Sequence, residues 1–318
     1  MEYYMKLHQD VKLFSDLLRA ASQHLDIKLE FVEKDYWITL ILSRLANSKY
    51  VDESVFKGGT SLSKGYDLID RFSEDVDIAI INNRDRTGNE VKTIIRTIEK
   101  EITAELNELQ EKGKTSKGSR FRKSVYAYNG IEHGSANNRI IVEINSFANP
   151  FPFEKRIIKS MVYDFLIQTG YEKYIDLYDL QAFKVNVLGI KQTLLEKMVS
   201  LIRFSFKENT IDGIAEKIRH FYDICYLMKT PECVEFVASD EFKIQFYAIL
   251  EHDKKIFEEP EGWQVKSVFQ SPLMLDFTNI WEQLKEKYHT ELSAYAYRPI
   301  PNETDISNCF RHLIERIA

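Results

Sequence analysis

The chain has 318 residues, is 44% apolar and 13% aromatic, and carries a formal net charge of −6. That composition excludes a disordered chain and a uniformly basic nucleic-acid coat, so any nucleic-acid contact has to be local. The length suffices for two domains with separate cores.

Cys225, Cys233 and Cys309 show no paired spacing, which speaks against a disulfide framework or a cysteine zinc site. The seven histidines form no HxH or HxxxH pair. The start, Met1-Glu-Tyr-Tyr, lacks a basic stretch followed by an apolar run, and no segment reaches the roughly 20 apolar residues of a membrane span. The expectation is a cytoplasmic protein without membrane contact.

Apolar residues at Leu7, Val11, Phe14, Leu17, Leu18 and Ala21 predict an amphipathic helix over 7–23, and a second is expected over 30–46. Val55-Phe56 reads as a short strand ending at Gly58-Gly59. A helix over 61–69 follows, opened by Thr60 or Ser61 as N-cap. The alternation at 74–81 predicts a strand, and a helix over 90–110 ends near Gly113. Residues 112–123 form a basic connector with glycine and serine. Strands at 121–128 and 139–147 flank a turn region from Gly130 to Gly134. Between 155 and 188 short strands are expected, the last near Lys184–Leu188. From 190 the pattern turns helical, at 191–206, 211–229, 240–257, 273–289 and 304–317. Strands early and helices late predict an α+β domain over 1–188 followed by a helical domain over 189–318.

The richest stretch for chemistry runs from Lys57 to Asp77. A Gly58-Gly59 turn lets backbone N–H groups approach an anion, and Thr60, Ser61 and Lys64 stand at a helix start that favours phosphate. GxxxxGK[ST] is absent, so this is not a Walker loop. Asp75 and Asp77 share one strand face about 6.5–7 Å apart, close enough to converge on divalent metal. Alone, such a pair is more often the solvated end of a strand. Glu143, with Val142 and Ile144 turned to a core, supplies a third carboxylate if its strand lies beside 74–81.

Taken together, a Gly-Gly-Thr turn, a helix, an Asp-x-Asp strand and a later acidic strand resemble the polymerase-β-type nucleotidyltransferase core with its mixed sheet. The spacing from Gly59-Thr60 to Asp75 is longer than that superfamily usually shows. Glu33-Lys-Asp-Tyr-Trp37, Lys57-Gly-Gly-Thr-Ser-Leu-Ser-Lys64 and Arg71-Phe-Ser-Glu-Asp-Val-Asp77 resemble the AbiEii/AbiGii toxin family. Leu194-Leu-Glu-Lys197 with Arg203, and Arg219-His-Phe-Tyr-Asp223, extend the match to about residue 230.

The resemblance implies a toxin of a toxin–antitoxin or abortive-infection system that moves a nucleotide from an NTP to RNA, the tRNA 3′ end in particular. It implies Mg²⁺, two ions held by Asp75, Asp77 and Glu143, and a separately encoded antitoxin as partner. It makes Gly58, Gly59, Thr60 and Ser61 the nucleotide turn and adds Lys197 and Asp223 as the later motif residues. The family helix often reads Arg-Asp-x-Tyr-Asp, and His220 stands here for its first aspartate, so the role falls on Asp223.

From the residues alone, Lys197 is either a phosphate-facing charge or a solvated lysine. Asp223 forms either part of a site or an i,i+4 pair with Arg219. Arg71 either holds phosphate or caps the 61–69 helix. Lys114, Lys117, Arg120 and Arg122 are the candidate RNA contact, against a plain solvated loop. Two rival readings stand beside transfer to RNA. One is phosphoryl or nucleotidyl transfer to a protein, and the other is a non-catalytic module binding nucleotide or a partner.

Overall fold

The computed structural model describes residues 5–82, 86–111, 115–131 and 138–318. The Met1-Glu-Tyr-Tyr start, the stop at Gly113, Lys112 and Lys114 of the basic connector, and Gly134 lie outside the described residues. The chain divides into two compact units. One holds Met1–Asp67 and Phe72–Leu188, the other Leu68–Arg71 and Gly189–Ala318.

The first unit is built on a sheet whose strands are β1 (Ser54–Lys57), β2 (Asp75–Ile80), β3 (Asn107–Leu109), β4 (Ser116–Lys117), β5 (Phe121–Ala127), β6 (Arg139–Asn145), β7 (Phe153–Ile158) and β8 (Phe183–Leu188). Their order is β3-β5-β6-β2-β1-β8-β7, with β4 on β5. The sheet is mixed: β2 runs parallel to β6 and β1 to β8, and the other pairs are antiparallel. Phe56, Val76, Ile78, Ile140, Val142 and Ile144 share one buried face of it, as period-2 alternation requires.

Among the described residues, this unit also holds the α-helices α1 (Val11–Leu25), α2 (Leu29–Ala46), α3 (Gly58–Lys64), α4 (Gly88–Ile102), α5 (Met161–Thr169) and α6 (Lys173–Leu177). Three departures from the sequence pattern have local causes. Helix α3 begins at Gly58 with Lys57 at its N-cap, not at Thr60 or Ser61, because the Thr60 hydroxyl donates to the Asp75 carbonyl at 2.5 Å. Helix α4 stops at Ile102, and 107–109 join the sheet edge as β3. The stretch expected as short strands holds α5, whose Ser160 side chain caps Tyr163 N and whose end is Gly170 at φ +75°.

The second unit is helical: α7 (Ile190–Phe204), α8 (Thr210–Ala215), α9 (Ile218–Leu227), α10 (Pro231–Ala238), α11 (Asp240–Ile256), α12 (Pro272–Leu275), α13 (Phe277–Tyr295) and α14 (Glu303–Ile317). The helix expected over 211–229 is two, α8 and α9. Its core gathers Phe221, Phe277, Trp281 and Phe310, with the Phe221 and Phe310 rings 4.9 Å apart. The strap 68–71 is sewn into this unit. The Tyr222 hydroxyl accepts from Asp70 N, Tyr297 N donates to the Asp70 carbonyl, and the Tyr297 hydroxyl donates to the Ile69 carbonyl.

Candidate active site

The sheet register sets four charged residues in one row. Lys57 of β1 pairs with Asp77 of β2, Asp77 with Glu143 of β6, and Glu143 with Lys123 of β5. Neighbouring strands lie about 4.8 Å apart, so the row reads plus, minus, minus, plus across four strands. Asp75, two residues before Asp77, shares its face. Lys123 Nζ stands 3.4 Å from a Glu143 oxygen.

This crowding has an electrostatic signature. Burial pushes the Asp77 carboxyl well above the usual carboxylate range, and the charges of Glu143 and Asp75 push it further. Lys57 and Lys123 oppose that rise without cancelling it. Burial alone would lower the Lys123 ammonium, yet Glu143, Asp75 and Asp77 together raise it.

The Gly58 turn fits directly against this face. Gly58 has φ +82°, and a Cβ there would overlap the Asp77 carboxylate. Only glycine meets both conditions. Gly59 follows in the first turn of α3, where N–H groups have no intrahelical acceptor. Thr60 and Ser61 are buried. Their hydroxyls donate to the Asp75 and Gly58 carbonyls, so what they do here is tie the turn to β2 and to itself. Lys64 does not extend from the turn: it is buried in an ion pair with Asp35 and also donates to the Lys159 carbonyl.

Three successive buried residues of α2 brace the same region. Glu33 accepts from Ile131 N at 2.7 Å, Lys34 pairs with Glu74 at 2.6 Å, and Asp35 takes Lys64 and Met161 N. Glu74 immediately precedes Asp75, and Lys64 ends α3, so this run fixes both edges of the turn-and-strand motif. The sequence offered a signal for it: three charged residues in a row inside an otherwise apolar helix must be paired if the helix is buried.

The residues present fit a divalent cation in kind. Hard carboxylate oxygens share one face, and their repulsion is what a cation relieves. Among the described residues, no three acidic, histidine or cysteine side chains converge on one point as they stand.

In the second unit, Asp223 is fully buried. The Arg71 guanidinium grips it with Nε and Nη2 at 2.7 Å each, and Lys197 Nζ reaches it at 2.7 Å. Burial alone would raise the Asp223 carboxyl, but Arg71 and Lys197 hold it well below the usual range. Lys197 is therefore not solvated, Arg71 does not cap α3, and Arg219 pairs with Glu291 rather than Asp223. His220 is kept neutral by burial and by the nearby Lys197 and Lys217. A neutral imidazole where the family helix often has aspartate leaves two cations facing one carboxylate.

Among the described residues of the basic connector, Lys117, Arg122 and Lys123 are paired. Arg122 is buried against Glu99, which also accepts from Ser124, and Lys117 pairs with Glu108 at 2.6 Å. Arg122 is thereby corrected from a candidate RNA contact to a core residue, because it faces α4 on the opposite side of β5 from Lys123. Arg120 stays exposed.

Comparison with known proteins places these features. No curated protein matches the sequence. The nucleotidyltransferase toxin MenT4 of Mycobacterium tuberculosis H37Rv is structurally similar, with a TM-score of 0.56 at 15% identity over 93% of this chain and 89% of that one. JHP933 from Helicobacter pylori aligns over 81% and 94% of the two chains at 15% identity, but its TM-score of 0.29 says nothing of the fold. A sequence model described as "Nucleotidyl transferase AbiEii toxin, Type IV TA system" matches residues 40–303. The mixed sheet, the helical second unit and this match over most of the chain lead to one assignment: the chain belongs to the AbiEii nucleotidyltransferase toxin family of type IV toxin–antitoxin systems.

Proposed function

We propose that this family member transfers a nucleotide from an NTP to an RNA hydroxyl, with the tRNA 3′ end as the acceptor. The substrate oxygen forms a bond to the α-phosphorus, the bond to pyrophosphate breaks, and the hydroxyl proton passes to solvent water. The observation that carries this reading is the row Lys57–Asp77–Glu143–Lys123 with Asp75 beside it, set against the Gly58 turn.

In this reading Asp75, Asp77 and Glu143 hold Mg²⁺. Bound there, the metal supplies charge neutralisation for the triphosphate and acidifies the attacking hydroxyl. The chain's own residues do the rest. Gly58 lets the backbone approach Asp77 closely, and the first-turn N–H groups of α3 offer donors to phosphate oxygens. Lys57 and Lys123 offset part of the negative charge that crowds Asp77. Thr60 and Ser61 hold the turn rigid. The family motifs also give Lys197 and Asp223 a part in the reaction. What supports it here is that short ion pairs with Asp223 fix the Lys197 ammonium in place.

The test is labelling of total tRNA with α-labelled NTPs and Mg²⁺. Wild type should label tRNA and Asp77→Ala should not. Equal labelling by both, or none by wild type with any NTP, contradicts the proposal. Label appearing in protein, or transferred from the γ position, would favour the protein-directed rival instead.

A further inference from the structure

Arg203, in the last turn of α7, makes no ion pair with any described carboxylate, and its Nε is buried without a hydrogen-bond partner. Its guanidinium lies 3.8 Å from the Phe257 ring centroid, 5.1 Å from that of Phe204 and 5.9 Å from that of Trp263. Asp253 is near enough to be felt but does not pair with it. A buried donor without an acceptor is costly, and native proteins keep few of them.

Beside this guanidinium is a cavity of about 340 Å³, within the second unit, lined by Arg203, Phe204, Lys207, Phe257, Glu258 and Glu259 among others. That volume lies in the range of small-molecule sites. Its wall is fixed. The Phe257 carbonyl accepts from Trp263 Nε1 at 2.8 Å and from Gln264 Nε2 at 3.2 Å, and Gln264 also donates to the Glu258 carbonyl. Lys207 is already committed to Glu216 at 2.6 Å. Of the two lining cations, Arg203 is the one with no ion pair among the described residues; its guanidinium lies on Phe257.

The chemistry of the lining selects the ligand. Glu258 and Glu259 disfavour a phosphate or carboxylate at the same wall. Aromatic and aliphatic surface favours a flat ring. The ring must offer an acceptor edge to Arg203, and N–H donors would suit the glutamates. Nucleobases combine these features.

We propose that this cavity binds a single nucleobase, with Arg203 donating to its acceptor edge and Phe204 and Phe257 packing against the ring. The inference rests on the second unit alone and goes beyond the reading of the acidic face, so either can fail without the other. The base can belong to a free nucleotide or to an RNA strand.

The test titrates the full chain with the four nucleosides and with single-stranded hexaribonucleotides, followed by calorimetry and intrinsic tryptophan fluorescence. Nucleosides carry no phosphate, so the acidic face and its phosphate donors do not contribute. Binding is expected in at least one arm. Arg203→Met and Phe257→Leu should each weaken it by at least about tenfold, given the worth of one stacked base, and Lys285→Ala, which breaks only the surface pair with Glu282, should leave it unchanged. Nucleoside binding identifies the mononucleotide source, and binding confined to oligonucleotides identifies the strand. Should Arg203→Met fail to fold, Phe257→Leu decides. Absence of binding in both arms overturns the proposal, as does binding that the two pocket variants leave within twofold.

Discussion

Asp77 is a half-buried carboxylate and Asp223 a fully buried one, and the protein treats them in opposite ways. Asp223 sits between Arg71 and Lys197, and its proton affinity is depressed. Asp77 sits between Glu143 and Asp75, with Lys57 and Lys123 only partly offsetting them, and its proton affinity is raised. Burial pushes both the same way, so the neighbours decide the sign. A carboxylate with two cationic partners serves as a structural tie. One crowded by other carboxylates leaves negative charge unmet, which is a demand for an external cation.

The sharpest way to break this contrast is to neutralise each carboxylate in turn. Asp77→Asn should lower nucleotide transfer by about a thousandfold, the equivalent of several kcal/mol, while the melting temperature holds or rises. Asp223→Asn should do the reverse to the fold. It strands Arg71 and Lys197 beside a neutral amide and should cost about 3–5 kcal/mol in urea denaturation. A stable Asp223→Asn protein would show that the tie is dispensable.

Stability against pH sharpens the same contrast without cation present. The carboxyl of Asp223 is lower when folded than unfolded, so its contribution is present above the usual carboxylate pKa and disappears as pH falls toward its depressed value. The carboxyl of Asp77 is higher when folded. Its contribution is present in acid and is lost as pH rises from the usual carboxylate range through its raised value. Wild type minus Asp223→Asn and wild type minus Asp77→Asn should therefore slope in opposite directions. Parallel slopes would refute the assignment of causes.

Smaller effects follow. Lys34→Met removes the partner of Glu74, next to Asp75, and should cost about 1.5–3 kcal/mol, the worth of a charged hydrogen bond. Part of the loss should appear as weaker activity at temperatures where the variant stays folded. Lys117→Ala breaks only an exposed pair and should change stability by less than about 1 kcal/mol.

Much of the site was legible where its chemistry is local. Gly58-Gly59, Asp75-x-Asp77 and the alternation around Glu143 lie within short segments whose period fixes their faces. What was not legible depends on pairing across the chain. Lys57 and Lys123 join the acidic row only through strand register, and nothing near Lys57 announces that Asp77 stands opposite. Arg71 meets Asp223 across a sequence separation of 152 residues. Arg122 looks like an RNA contact only when the connector reads as one basic loop. Strand alternation from 121 would have set Arg122 and Lys123 on opposite faces. The three-residue β3 is too short to show a period, so helix α4 was extended over it. By contrast, α10 was missed although Thr230-Pro231 spells an N-cap followed by proline at the first helical position.

The most direct measurement is a Mn²⁺ titration, followed by electron paramagnetic resonance, of wild type, Asp77→Asn and Asp223→Asn under conditions where all three are folded. Wild type and Asp223→Asn should bind the cation alike, and Asp77→Asn should bind it at least about tenfold more weakly, the loss of one charged ligand. Asp77→Asn binding Mn²⁺ as tightly as wild type would contradict the claim that the crowded carboxylate face is where the cation belongs.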